Sequence, residues 1–563
     1  MFDGLPRAGG LREPIVQHHS TEIAEDGPEA VRLISVKRGV RMRHRAYWTS
    51  AAIVAGVLST AVSIPSQAFA AKTELSMGVA SEDVTTLDPH FATTTSDRTL
   101  VSYIYGALVR FAPGSANPSS IEADLAESWE SNADQLVWTF KLRPDVKWQG
   151  GYGNVTADDV VFSLDKARDP KRSAFSGDYA AIQKVEAVDA KTVRITLTRR
   201  VPSLLALLSN FSGGFIIPKK AFKERGDDFK RRPVGFGPFQ VESIQPGQSV
   251  TLTANAEYFR GKPKLSKISY RFLNNEAARD LAFESGELDV EQGNQDQRWL
   301  QRLTANPENV VDTIEPAELN LLHINITKPP FNDIRVRQAL AHTVNAAQIA
   351  KYRGERVNRA VPSVIPSNNL GFDPDAGVLN YDPAQSKKLL AEAGFPNGVT
   401  VTMVASQLPG LESLAQLIQA QVAEGGFTLN LQPVEHAAWH QMIRKDLSPI
   451  VLYGAARFPI ADYYLTQFYH SASEIGKPTQ VVNFSHCNVA DKQIEAARTE
   501  TDPNKQIELW KEAQKLIVSN VCAIPLTENL GTWARKNKLG WGFELKGSMP
   551  SAPLITEQTY FKD

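Results

Sequence analysis

Residues 138–170 read WTFKLRPDVKWQGGYGNVTADDVVFSLDKARDP. Val137 to Leu142 alternates in the manner of a strand, and Arg143-Pro144-Asp145 supplies a turn. Thr156 then opens a helix. It suits an N-cap, Asp158 and Asp159 fall in the first turn, and Val160, Val161, Phe162 and Leu164 give it an apolar side. A strand, a turn and a helix in one short run place the chain in the mixed α/β class.

The same alternation extends in both directions. Thr73 to Val79 predicts a strand, Asp83 to Thr95 a loop, and Leu100 to Phe111 a helix. Val185 to Val188 and Val193 to Leu197 flank Asp189-Ala190-Lys191 as a hairpin. Further strands are expected at 239–244 and 249–254. Asp333 to Ile349, Asp382 to Ala393 (closed by Gly394), Leu414 to Val422 and Thr501 to Val518 have helical spacing. No fixed-period repeat and no low-complexity linker marks a boundary. A long chain without linkers predicts domains that interrupt one another.

Composition narrows the function. Lys and Arg total 61 against 62 Asp and Glu, with 42% hydrophobic residues, which is ordinary globular composition. A dedicated nucleic-acid binder would need a basic surface. Two cysteines cannot make a disulfide scaffold or a four-cysteine zinc site.

The N-terminal region differs from the rest. Residues 46–71 carry no charge, Arg41, Arg43 and Arg45 precede them, and Ala51 to Ile64 is apolar. Ala68-Phe69-Ala70 follows as an A-x-A site. Together these predict a secretory signal peptide over 42–70, cleaved after Ala70. Residues 1–41 are then a mis-assigned start or a disordered leader, and no cysteine stands ready for lipidation. An exported chain permits a disulfide between Cys487 and Cys522, although two buried thiols would satisfy the sequence equally.

A search for chemistry yields little. No phosphate-binding loop and no G-x-S-x-G elbow occurs. His436 and His440 have metal-like spacing, but Ala437 stands where H-E-x-x-H hydrolases have their glutamate, so no metal site is expected. Tyr453, Phe458, Tyr463, Tyr464, Phe468 and Tyr469 crowd one stretch around Arg457 and Asp462. That mixture suits a ligand pocket and equally a packed core.

Several runs, in order, resemble the extracellular solute-binding proteins of ABC importers, in the family of dipeptide-, oligopeptide- and nickel-binding proteins. They are Thr86-Leu87-Asp88-Pro89-His90, Asp124 to Glu130, the 138–170 stretch, Gly235-Phe236-Gly237-Pro238-Phe239, Asn255 to Lys264, Ser285 to Asp289, Pro329 to Leu340, and Tyr381 to Gly394. The resemblance implies a two-lobed periplasmic-binding-protein fold, type II-like, with an extra domain inserted in the first lobe. Lobe one is expected over 71–104, 234–318 and 524–563, the insert over 105–233 and lobe two over 319–523. It implies a non-enzymatic, periplasmic, monomeric carrier without a cofactor. Such a carrier captures a peptide, modified peptide or conjugate and delivers it to an inner-membrane permease with ATPase subunits. A sensor or chaperone signalling to a membrane partner, or a periplasmic hydrolase, is the alternative.

The resemblance also bears on the ligand. Peptide-binding members pair the ligand ammonium with a lobe-two acid, whose place here falls at or near Phe458, with Asp462 four residues on. Dipeptide binders hold the carboxylate with an arginine, yet Ala405 to Pro409 has none. Both departures argue against a simple dipeptide with free ends. Arg457 instead suggests an anionic or strongly polar group on a ligand with an apolar face. The alternative is an Arg457–Asp462 salt bridge outside the cleft. Thr93, Thr94 and Thr95 follow the first motif where the family has lobe-one contacts, or else cap the next helix. The expected ligand-binding set is thus Thr93, Thr94, Thr95, Tyr453, Arg457, Phe458 and Asp462.

Overall fold

The computed structural model describes residues 72–477 and 482–562. The expected leader and signal peptide lie outside the described residues. Among the described residues, no helix is long and apolar enough to cross a membrane.

The quoted stretch folds as read. Strand Val137–Leu142 joins strands Ala126–Ser131, Thr192–Leu197 and Ile182–Asp189 in a four-stranded antiparallel sheet. Helix Ala157–Ala167 follows, and the Asp159 carboxylate reaches back to accept from Thr156 N (3.1 Å) and Oγ1 (3.0 Å). The helix also carries Lys166, which is buried and paired with Asp88 at 2.9 Å. The pair ties the helix to the Thr86–His90 motif. This sheet shares one continuous apolar core with the large sheet, through Phe140 and Ile195 on one side and Met77 and Ile268 on the other. Segment 105–233 therefore has its own sheet but no core of its own.

The large sheet has nine strands. Its order is Ile450–Ala455, Asn309–Ile324, Ala523–Lys536, Val290–Gln292, Glu74–Val79, Lys267–Phe272, Ser249–Ala254 and Phe239–Gln245, with Asn358–Ala360 paired to Ala523–Lys536. Glu74–Val79 runs parallel to both its neighbours, and the other pairings are antiparallel. Two strands are unusually long. Asn309–Ile324 and Ala523–Lys536 pair from Asn309↔Lys536 to Ile314↔Gly531, lose register, and resume at Glu318↔Asn529. Such a break bends a strand pair and increases its twist.

Most buried apolar side chains divide about that break, while a smaller core around Trp299 joins Val311 and Ala534 to Val357. One core combines Leu75 to Val290 and Ile314 with Trp533 to Ile555. On the other side, Leu319 to Leu526 supplies two cores almost alone. Phe111 and Ala206 are the members drawn from the first half of the chain. Cys487 and Cys522 are bonded, with Cα atoms 5.9 Å apart.

Two expected helices are corrected. Leu100 to Phe111 is not one helix: helix Thr95–Ile104 ends before Gly106, and Val109–Phe111 is a strand paired with Ile121–Ala123. A Cβ at Gly106 would lie 2.5 Å from the Phe236 ring, so the backbone turns where no side chain fits. Asp333 to Ile349 is two helices, Ile334–Ala341 and Ala346–Arg353. Thr343 Oγ1 donates to Leu340 O at 2.6 Å, and Asn345 caps the second helix by accepting from Gln348 N at 2.9 Å. Short polar side chains here compete with continued helix.

Candidate ligand-binding cleft

Thr93, Thr94 and Thr95 are exposed, and Thr94 caps helix Thr95–Ile104 by accepting from Asp97 N at 3.1 Å. Asp97 is buried and accepts from Thr85 N (2.8 Å) and Thr86 N (3.3 Å), fixing the helix start to the first motif. Burial raises its pKa, against those hydrogen bonds. The next residue is Arg98, which sequence reading passed over. Its guanidinium lies 4.9 Å from the Phe211 ring centroid, and its Nε is buried without a hydrogen-bond partner. Burial first, and the nearby Arg457 second, push its pKa down.

Arg457 follows strand Ile450–Ala455. Its backbone N donates to Tyr464 Oη (2.9 Å), which donates to Ala455 O (3.1 Å). The side chain is oriented by Gln467 (Nε to Oε1, 2.8 Å), by its neighbour's carbonyl, and by the Phe468 ring 5.4 Å away. Among the described residues no carboxylate pairs with it. Asp462 pairs with Arg498 instead, at 3.2 Å. Phe458 packs on Tyr463 (5.4 Å) and on Phe111 (6.2 Å), the contact between the two halves noted above. Tyr453 is buried in an aromatic cluster, stacked on Trp439 at 5.8 Å and next to Phe484. His436 and His440 share helix His436–Ile443, with His436 Nδ1 bonded to Ser406 Oγ at 2.9 Å.

Glu318 and Asp178 lie within electrostatic reach of Arg457, and Arg353 within reach of Glu318. Glu318 stands where the long strands resume their register, over Gly454. A Cβ at Gly454 would lie 2.3 Å from Glu318 Oε1, so glycine is what permits the approach. Burial raises the Glu318 pKa, while Arg353 and Arg457 oppose the rise. Arg353 ends helix Ala346–Arg353, and its Nη1 is buried without a partner. Burial lowers its pKa, countered by Glu318. Asp178 is reached by solvent yet hemmed in by protein. Desolvation pushes its carboxyl up to about 6, although Arg457 pulls it down.

Among the described residues, none of Arg98, Asp178, Glu318, Arg353 and Arg457 sits in an ion pair within the chain. Crowded but unpaired charges carry an unmet desolvation penalty. An oppositely charged partner at this place would offset that penalty. Asn368 and Asn369 add four buried amide atoms without hydrogen-bond partners, one residue from Ser367, whose N and Oγ donate to Glu528. Beside the cleft lies an apolar cavity of about 100 Å³. Phe211, beneath Arg98, and Phe111, against Phe458, both line it.

Of the expected set, Arg457 thus lies near Arg98, Tyr453 and Phe458 are both buried in one aromatic-rich core, Asp462 meets Arg498, and Thr93, Thr94 and Thr95 are exposed at the start of their helix. Arg98 lay within reach of sequence reasoning, three residues past Thr95. Asp178, Glu318 and Arg353 had no motif around them, and only the fold collects them.

The model of the bacterial extracellular solute-binding proteins, family 5 Middle, matches residues 120–475. Di/tripeptide-binding protein 2 of Pseudomonas aeruginosa is 29% identical over 482 residues, covering 78% of this chain and 86% of its own. Glutathione-binding protein GsiB of Salmonella typhi is 28% identical over 475 residues, covering 81% and 90%. The periplasmic binding protein DppA from Helicobacter pylori, solved with the peptide STSA, matches with a TM-score of 0.72 at 25% identity. That match covers 88% of this chain and 99% of the other.

Proposed function

Since this chain belongs to the bacterial extracellular solute-binding proteins of family 5, we propose that it captures a peptide-like solute in the periplasm. It delivers that solute to the permease of an ABC importer. Export uses the signal peptide ending at Ala70, and the chain acts as a monomer that binds and releases its ligand unchanged. Lobe one comprises 71–104, 234–318 and 524–563, with 105–233 as its insert, and lobe two comprises 319–523. The lobes close over the ligand by bending the long strand pair where its register breaks.

The observation that carries this reading is the set of unpaired charges at one cleft between segments distant in sequence. A guanidinium that meets no carboxylate among the described residues is suited to receive one from a ligand, in bidentate geometry. The adjoining apolar cavity accommodates a nonpolar group of the same ligand. Relatives named for di- and tripeptides and for glutathione support a peptide-like solute.

Mass spectrometry of the protein purified from its native host tests the proposal. A stoichiometric small molecule is expected with the wild-type chain, and Arg457→Ala retains much less of it. A wild-type protein that carries nothing, and binds nothing from periplasmic extract, would refute the reading.

A further inference from the structure

The large sheet ends on strand Phe239–Gln245, whose outer side has no strand to pair with. That edge borders an open groove of about 580 Å³, lined also by Arg225, Arg231, Arg232 and Gln149. The Gln149 amide closes one end by donating to Gly237 O (3.2 Å) and Phe239 O (2.8 Å), which leaves Gln240 to Ile244 along the groove. Ile450–Ala455, the strand that leads to Arg457, lies at the opposite end of the sheet.

The three arginines are anchored but not neutralised. Arg225 donates through Nη1 to Arg232 O and to Pro233 O (3.2 Å), and its guanidinium lies 5.5 Å from the Tyr152 ring centroid. The backbone N atoms of Arg231 and Arg232 donate to Asp228 O at 3.0 and 2.8 Å, while both side chains are exposed. Among the described residues, none of the three sits in an ion pair. Segment 219–232, KKAFKERGDDFKRR, carries seven basic side chains against three acidic. Of those acids, Glu224 faces Lys220 at 4.0 Å. Glu242, on the edge strand, is offset by Lys267 at 3.5 Å. Counting Glu82 as well, whose backbone approaches Gly247 just past the strand, three positive charges remain in excess. In a chain with 61 basic and 62 acidic residues, that is a local concentration.

An open edge can pair with any extended chain. Here the cations select among the candidates. A second copy of this chain would set the same arginines against these. A lipid headgroup would meet the arginines but leave the strand backbone unmatched, and a flat bilayer does not enter a groove. An extended acidic segment meets both, with main-chain hydrogen bonds to the strand and carboxylates on the guanidinium groups. The register shift between Val241 and Ser243 bends the edge, which keeps the paired run short.

We propose that this groove receives an extended, acidic segment of a partner protein, which adds as a strand to Phe239–Gln245 and pairs its carboxylates with Arg225, Arg231 and Arg232. The interaction goes beyond solute capture and leaves the Arg457 side of the sheet free.

Fluorescence anisotropy of the mature chain tests it at low ionic strength. The probe is a dye-labelled, amidated seven-residue peptide alternating glutamate and valine. Its controls are the same peptide with glutamine for glutamate, and two forms N-methylated at either the glutamates or the valines. The acidic peptide is expected to bind about tenfold or more tighter than the glutamine form. Arg231→Glu with Arg232→Glu is expected to remove that advantage while the melting temperature holds. Arg231→Gln with Arg232→Gln serves if the charge-reversed chain does not fold. One N-methylated form, with its charge intact, is expected to bind about fivefold or more weakly, because only one edge of the peptide meets the strand. Equal binding of the glutamine form overturns the proposal, as does indifference to both N-methylations, which would leave charge alone at work. Failure of the acidic peptide to bind overturns it too, and phosphatidylglycerol vesicles that bind in its stead, through the same arginines, would assign the groove to lipid. None of these outcomes bears on solute capture at Arg457.

Discussion

Asp178 shows how a single side chain reports on the cleft. Its carboxylate has no hydrogen-bond or ion-pair partner among the described residues, and Arg457, Tyr179 and Tyr463 lie within its electrostatic reach. Desolvation lifts its pKa to about 6, above the ordinary carboxylate range. The folded chain then holds a proton that the unfolded chain gives up at lower pH. This contribution to stability is present below the unfolded pKa and is lost as pH rises through about 6. A ligand carboxylate received by Arg457 lies near Asp178 and favours its protonated form. Affinity for such a ligand should therefore fall as pH rises through about 6, with proton uptake on binding. Calorimetry in buffers of different ionisation enthalpy measures that uptake, and Asp178→Asn should abolish the pH dependence. A variant that titrates like the wild type would assign the dependence to another group. None of this was legible in sequence, where Asp178 sits in an unremarkable loop between Gly177 and Tyr179. Arg457 was legible, because a cation among so many aromatic rings is an unusual neighbour for a core.

Elements were easier to read than residues, for a physical reason. Strand Glu74–Val79, helix Ala157–Ala167 and helix Pro503–Ser519 each carry their own periodicity and caps, so local sequence decides them. The failures fall where tertiary contacts override the pattern: the turn at Gly106, forced by Phe236, and the break at Thr343 and Asn345. Pairing of Cys487 with Cys522 is likewise a tertiary fact. The bond joins the loop before helix Asp491–Thr499 to the start of strand Ala523–Lys536, across 35 residues. Closing a loop of that size restricts the unfolded chain by about 4 kcal/mol in the chain-entropy treatment. Cys487→Ser with Cys522→Ser should lower unfolding stability by roughly 2–5 kcal/mol in denaturant titration. Both sulfurs lie in the core that also contains Phe458 and Tyr464, so the loss should spread to the Arg457 wall of the cleft. An unchanged denaturation midpoint would show that the link adds nothing to folding.

At the scale of the molecule, order and family resemblance gave the two-lobed architecture, while one contact between its halves comes from residues far apart in sequence. Phe111 belongs to the strand Val109–Phe111, yet it packs with Phe458 and the core built almost wholly from Leu319 to Leu526. It also lines the apolar cavity beside Arg98. One aromatic contact of this kind is worth about 0.5–1.5 kcal/mol beyond the area it buries. If it forms only when the lobes are shut, its loss lowers the closed population, and apparent affinity falls by the same factor. Phe111→Ala should then weaken ligand binding by about 2- to 12-fold, because 1.4 kcal/mol corresponds to a factor of ten. The open form should gain in the same proportion. Small-angle scattering distinguishes this from mere loss of a ligand contact. The wild-type chain should contract when saturated with its co-purified solute. The variant should start as open or more open, and reach the same closed dimensions only at higher solute concentration. A variant with weakened binding but the wild-type balance of open and closed forms would make Phe111 a ligand contact, not a closing contact. The bend between the long strands would then be set by the ligand charges alone.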